Sequence, residues 1–209
     1  MYLQRFNVYK IVLDKATLNE THLWDRIKAG DKNALAEIYN LHAKALYNYG
    51  NKIFQNSQCV EDEIHDLFVD LWNYRANLGQ IISGRAYLYA SLRRKILKHK
   101  KNLNSLGYDY RWEELHLLTD SDEDKLIKKE FMDDQTEKLR SHLNNLSPRQ
   151  YEAIILRFYE QLGYGDIATV MEVNEQSVRN LIQRGIENLR QYSRLTISLL
   201  ILAQSLLLL

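Results

Sequence analysis

Between Thr21 and Lys101 the apolar residues recur at helical rather than alternating spacing, so the pattern predicts helices and no strand in this stretch. Ile64, Leu67, Phe68, Leu71 and Trp72 fall at i, i+3, i+4, i+7 and i+8, one stripe of an amphipathic helix. Leu88, Leu92 and Ile96 repeat at four-residue steps and mark another. Further along, Ser147-Pro148-Arg149-Gln150 offers a capping Ser, a Pro at the first helical position and a Gln three residues after the cap. That combination predicts a helix that starts there and runs toward Glu160. From Tyr164 to Gln191, the residues Ile167, Ala168, Met171, Val173, Val178 and Leu181 sit where a helix-turn-helix must bury its side chains. Asn174 can cap the second of those helices. Glu172 holds the turn position where glycine is usual, at a cost of about 1 kcal/mol if its backbone is left-handed.

Composition agrees with helices. Eight Gly and one Pro in 209 residues are too few for the turns of sandwiches or barrels, so the expected fold class is all-α. Hydrophobic residues at 45% and charged residues at 26% suit a globular core. Cys59 is the single cysteine, which excludes an intrachain disulfide and a CxxC zinc site and points to a reducing compartment. The first fifteen residues contain no apolar run of secretory or membrane-spanning length, so a cytoplasmic location is expected.

A formal net charge of +1 conceals strong segregation. Opposite the first stripe, Glu61, Asp62, Asp66 and Asp70 have no basic partner in their own segment, and form either a solvated face or a dock for something basic. The second stripe lies in a segment with Arg85, Arg93, Arg94, Lys95, Lys98, Lys100 and Lys101 and no acid. Tyr87, Ser91, Arg94, Lys98 and Lys101 share one face there. Such a row neutralises phosphates, and the rings of Tyr87 and Tyr89 can stack an exposed base for ~1–3 kcal/mol each; a basic, solubilising helix end is the plain alternative. On the second helix of the helix-turn-helix, Glu175, Gln176, Arg179, Asn180, Gln183 and Arg184 take outward positions. Arg, Asn and Gln pair bidentately with purine edges in the major groove, although three-helix modules of this shape also serve as protein docks.

The expected organisation is an N-terminal tail (1–20), a helical module (21–104), an acidic linker (105–133), a helix-turn-helix module (134–192) and an apolar tail (193–209). The linker carries seven acids between Asp109 and Asp124 against Arg111 alone, and is either a solvated spacer or a strand that occupies a basic channel. Leu195 to Leu209 would span ~22 Å as a helix, short of the ~30 Å hydrocarbon core. Packing on the second module, on a partner, or on a membrane surface are its possible uses, in that order.

Asp62-x-x-His65 and Glu113-x-x-His116 mimic the acid-x-x-His pairs of di-iron helical bundles, but the second pair falls in the linker. No Ser/His/Asp set or glycine-rich phosphate loop occurs. No catalytic site, metal, cofactor or small-molecule substrate is expected.

Two modules joined by an acidic linker resemble the extracytoplasmic-function sigma factors of the bacterial sigma-70 superfamily, over about Thr21 to Tyr192. The segment EDEIHDLFVDLW is similar to the family's acidic helix that docks on the polymerase clamp, and RAYLYASLRRKILKHKK to its promoter-melting, minus-ten-reading helix. LNNLSPRQYEAIILRFYEQLGYGDIATVMEVNEQSVRNLIQRGIENLR resembles the minus-thirty-five module throughout. The resemblance implies a factor that gives core RNA polymerase its promoter specificity and helps open the duplex, with promoter DNA, core polymerase and an anti-sigma protein as partners. It implies polymerase binding by Glu61, Asp62, Asp66 and Asp70. DNA binding would fall to Arg85, Tyr87, Tyr89, Arg93, Arg94, Lys95, Lys98 and Lys101 in one module and to Gln176, Arg179, Asn180, Gln183 and Arg184 in the other. Arg94 and Lys98 stand where the family commonly has Asn and Asp, which favours phosphate contacts there over base-specific ones. An autonomous helix-turn-helix regulator is the rival reading, and leaves the acidic and basic helices without a task.

Overall fold

The computed structural model of the chain describes residues 20–105, 143 and 146–192, and every regular element among them is helical. The acidic linker, both terminal tails and the Glu113/His116 pair lie outside the described residues.

The first helix, α1 (residues 20–28), buries Leu23, Trp24 and Ile27 and ends at Gly30, whose φ of 90° suits glycine. Asp31 then caps α2 (Lys32–Ile53) by accepting from the amides of Asn33 and Ala34, and is itself held by Arg26 at 2.6 Å. Ala34, Ile38, His42, Leu46, Tyr49 and Ile53 make the buried stripe of α2. Asn56 caps α3 (Ser57–Asn73), and a 3-10 turn (Arg75–Asn77) follows. The next helix, α4 (Gly84–Ser105), packs on both α2 and α3. The stripes read from the sequence are the buried ones: Ile64, Leu67, Phe68 and Leu71 on α3, and Leu88, Leu92 and Ile96 on α4. Trp72 is half-buried instead, and its ring carries the Arg75 guanidinium at 4.2 Å.

In the second module Ser147 forms a complete capping box with Gln150 at the start of α5 (Pro148–Ile154). The helix continues toward Glu160 as a π turn, Ile155–Tyr159, rather than as regular α-helix. Then come α6 (Tyr164–Met171) and α7 (Glu175–Tyr192), with Asn174 accepting from the Ser177 amide at 2.7 Å. Ile167, Met171 and Val178 are buried as expected of a helix-turn-helix, joined by Val170 and Ile182; Ala168, Val173 and Leu181 are only partly covered. Between the helices Glu172 is left-handed (φ 55°, ψ 48°). Its charge also favours the charged form of Arg93, a role that glycine lacks.

The two modules share one apolar core. α4 packs against α6, and the cluster that contains Tyr49, Leu88, Tyr89 and Leu92 continues into Ala153, Leu156, Leu162, Ile167 and Val170. A smaller cluster of Leu146, Tyr151, Ile154 and Leu189 ties α5 to α7.

Replacing Glu172 by Gly removes the left-handed penalty, so the stability of the whole chain in denaturant should rise, by at most about 1 kcal/mol. A fall would show that the attraction between Glu172 and Arg93 outweighs the backbone strain.

Candidate nucleic-acid interface

Two faces of α4 have opposite fates. Arg94, Lys98 and Lys101 are exposed on the outer face, with Tyr87 and Ser91 half-buried beside them. This face borders a groove of about 340 Å³ between α3 and α4, lined by Tyr87, Arg94, Lys95 and Lys98 from α4 and by Asp70 and Tyr74 from the α3 side. Tyr87 stands edge-on to Trp24 with ring centroids 5.7 Å apart, so its orientation is fixed by the core. Lys95 is not a free cation: its Nζ lies 2.6 Å from Asp70. Asp70 therefore ties α3 to α4, which leaves Glu61, Asp62 and Asp66 as the unencumbered part of the exposed acidic face. His65 is exposed on that face as well.

The inner face of α4 corrects the expectation that Arg85, Tyr89 and Arg93 lie open to DNA. Tyr89 is fully buried, and Arg93 is 8% exposed. The Arg93 guanidinium donates to both oxygens of Glu152, Nε to Oε1 at 2.7 Å and Nη2 to Oε2 at 3.3 Å. Tyr49 donates to the same Oε1 at 2.7 Å. Burial alone would lower the Arg93 pKa, yet its bond to Glu152 holds it above the ordinary arginine value. One turn earlier on α4, Tyr89 donates to Oε2 of Glu160, and a further turn back Arg85 donates to the Glu160 carbonyl at 2.7 Å. These side chains reach the second module because α4 lies directly on it.

Glu152 and Glu160 were missed by sequence reasoning, as was Tyr49. The one signal, for Glu152 alone, was an acid interrupting the apolar run Tyr151 to Phe158, which is ordinary on any half-exposed helix. The two acids differ in satisfaction. Glu152 is fully engaged, whereas Oε1 of Glu160 is buried without a hydrogen-bond partner. Burial raises the Glu160 pKa, opposed by the Tyr89 hydrogen bond and by the charges of Lys52 and Arg85.

The helix-turn-helix is differently disposed. Gln176, Arg179, Asn180, Gln183 and Arg184 are all exposed on α7. Their contacts are local: Gln176 donates to Asn180 at 3.1 Å, Gln183 to Glu187 at 2.9 Å, and Arg179 pairs with Glu175 at 3.4 Å over the Tyr164 ring. Such i, i+4 pairs on an exposed surface are worth a few tenths of a kcal/mol, so base edges can displace them.

The pH response of the module contact follows from Glu160. Its pKa in the folded chain lies above the ordinary 4.5, so its protonated form stabilises the closed contact at low pH, and that stabilisation is lost as pH rises through the raised value. Glu160→Gln should therefore gain stability over the parent chain as pH rises from about 4.5 to about 7.5, measured by parallel denaturant titrations. A constant difference across that range would contradict the burial of a protonatable Glu160.

Residues 136–189 match the family model for sigma-70, region 4. The ECF RNA polymerase sigma factor SigK of Mycolicibacterium vanbaalenii is 21% identical over 165 residues, which cover 77% of this chain and 82% of that protein. Among solved structures, CnrH in complex with the cytosolic domain of CnrY has a TM-score of 0.58 at 17% identity, covering 82% of this chain and 95% of that one. RpoE in complex with the anti-sigma factor NepR, from Bartonella quintana, has a TM-score of 0.57 at 19% identity, covering 75% and 94%. With a region 4 helix-turn-helix behind a helical module whose α4 bears the basic groove, the chain is similar to the extracytoplasmic-function sigma factors of the sigma-70 superfamily.

Proposed function

We propose that the chain is a transcription initiation factor that binds core RNA polymerase, reads promoter DNA with two separate faces and assists strand opening. The carrying observation is α7, which presents five base-reading side chains with only local partners on a region 4 helix-turn-helix. The outer face of α4 supplies the second reader: Arg94, Lys98 and Lys101 for phosphates, and the groove beside Tyr87 and Tyr74 for an unstacked base. Glu61, Asp62 and Asp66 dock on a basic surface of the polymerase. The factor itself makes and breaks no bonds. Among the described residues no helix is long and apolar enough to cross a membrane.

The packing of the two modules belongs to a closed form. Elements named for positions minus ten and minus thirty-five lie about 25 base pairs apart, on the order of 85 Å along the duplex at ~3.4 Å per base pair. α4 touches α6, and α6 packs directly on α7, itself only ~27 Å long. Both readers cannot reach such sites without separating. Closure also buries Tyr89 and Arg93 and engages the half-buried Arg85, so opening returns three further α4 side chains to the nucleic-acid side. The solved complexes of CnrH with CnrY and of RpoE with NepR support regulation of this chain by a protein of the anti-sigma class.

Arg179→Ala or Gln176→Ala should cost ~1–3 kcal/mol at a preferred upstream sequence and relax base preference there, read by binding of holoenzyme to promoter variants. Neutralising Arg94, Lys98 or Lys101 should weaken downstream binding at all sequences and shallow the salt dependence by about one unit of slope per lost phosphate contact. An Arg179 effect uniform over every sequence would reverse these roles. Charge reversal at Asp62 and Asp66 together should weaken capture of core polymerase at unchanged helical content, since exposed pairs contribute only ~0–1 kcal/mol each. Unaltered capture, with operator binding by the chain alone, would favour an autonomous regulator.

A further inference from the structure

We infer that Cys59, Glu63 and His99 form a binding site for a zinc-class divalent cation, set between the start of α3 and the end of α4. Cys59 and Glu63 are one helical turn apart on α3 and share a face, and His99 reaches them across the helix pair. Their donor atoms, one sulfur, one carboxylate oxygen and one ring nitrogen, all lie within 4.8 Å of one another. Glu63 Oε1 and His99 Nδ1 are 3.2 Å apart.

Those distances match a metal shell that is nearly assembled. Tetrahedral zinc, with bonds of ~2.3 Å to sulfur and ~2.0–2.2 Å to nitrogen or oxygen, places its donors roughly 3.3–3.6 Å from each other. The Glu63–His99 separation already suits it, and a side-chain adjustment of about 1 Å brings in the Cys59 sulfur. The surroundings restrict the donors further. The Cys59 amide is fixed by the Asn56 side chain at 3.0 Å, and the His99 ring stands edge-on to Phe54 with centroids 5.9 Å apart. Cys59 is buried while the other two donors are half-buried, so an ion enters from the His99 side.

The donor set also selects the ion. A thiolate and an imidazole prefer zinc or cobalt to magnesium or calcium, which favour all-oxygen shells. Three protein donors leave the fourth position to water, so the ion should exchange rather than be locked in as in a closed four-ligand structural site. Bound there, it would pin α3, which carries the acidic docking face, to α4, which carries the basic groove. Sequence spacing concealed the site because no two of its donors form a CxxC or acid-x-x-His pair.

The test uses the full chain, reduced and freed of metal with a chelator, titrated with cobalt(II). One equivalent should bind with a near-ultraviolet thiolate-to-cobalt charge-transfer band and the visible bands of four-coordinate cobalt, and zinc should displace it. Cys59→Ser should remove the charge-transfer band, and His99→Gln and Glu63→Gln should each weaken binding by roughly tenfold or more. His65→Gln, on the exposed face of α3, should change nothing. Zinc should also raise the melting temperature of the parent chain and not that of Cys59→Ser. Binding without the charge-transfer band, a band that survives His99→Gln, or no binding up to about 100 μM cobalt overturns the assignment and leaves Glu63–His99 as a hydrogen-bonded pair.

Discussion

A carboxylate taken out of water must be paired on every side, and the arrangement of the two modules turns on how Glu152 meets that demand. Its side chain accepts two bonds from Arg93 and one from Tyr49, each partner belonging to the other module. Stripping one partner from such a pair costs about 3–5 kcal/mol, because the remaining charge is then buried alone. Exchanging the whole set for apolar residues need cost nothing. The polar contact is therefore better understood as a device for specificity and reversibility than as a source of stability. It fixes one register for the packed modules, and its polar groups are ones that water can also satisfy.

Reversibility matters because α4 serves two masters. Its outer face keeps Arg94, Lys98 and the Tyr87 edge beside a groove that is open although the modules touch. Its inner face is spent on closure: Tyr89 and Arg93 satisfy buried glutamates, and Arg85 satisfies the carbonyl at the end of the π turn. A single helix thus carries both the exposed basic face and the contact with the second module. Glu160 adds asymmetry, since one of its buried oxygens lacks a partner and closure is stronger when it carries a proton.

Periodicity and capping made most of the fold legible. The stripe from Ile64 to Leu71, the steps Leu88, Leu92 and Ile96, the Ser147 box and the Asn174 cap are local signals, and each is where the pattern put it. The left-handed Glu172 was readable for the same reason. The outward position of Gln176, Arg179, Asn180, Gln183 and Arg184 follows from helical phase once the turn is located. What failed to show was tertiary. A basic residue buried by a distant acid looks, in one dimension, like a basic residue offered to phosphate, so Arg93 and Tyr89 could not be told from Arg94 and Tyr87. The Lys95–Asp70 bridge and the Cys59–Glu63–His99 cluster are hidden likewise, because their members come from different helices.

Closure in the free chain and separation on the promoter can be followed directly by single-molecule energy transfer between dyes on Asn73→Cys and Arg190→Cys, both exposed, with the buried Cys59 left in place. The free chain should give one high-transfer population. Addition of core polymerase and promoter DNA should replace it with a low-transfer population, as expected of modules moved apart by tens of Å along the duplex. High transfer that persists in a transcriptionally active promoter complex would contradict the separation of the two readers.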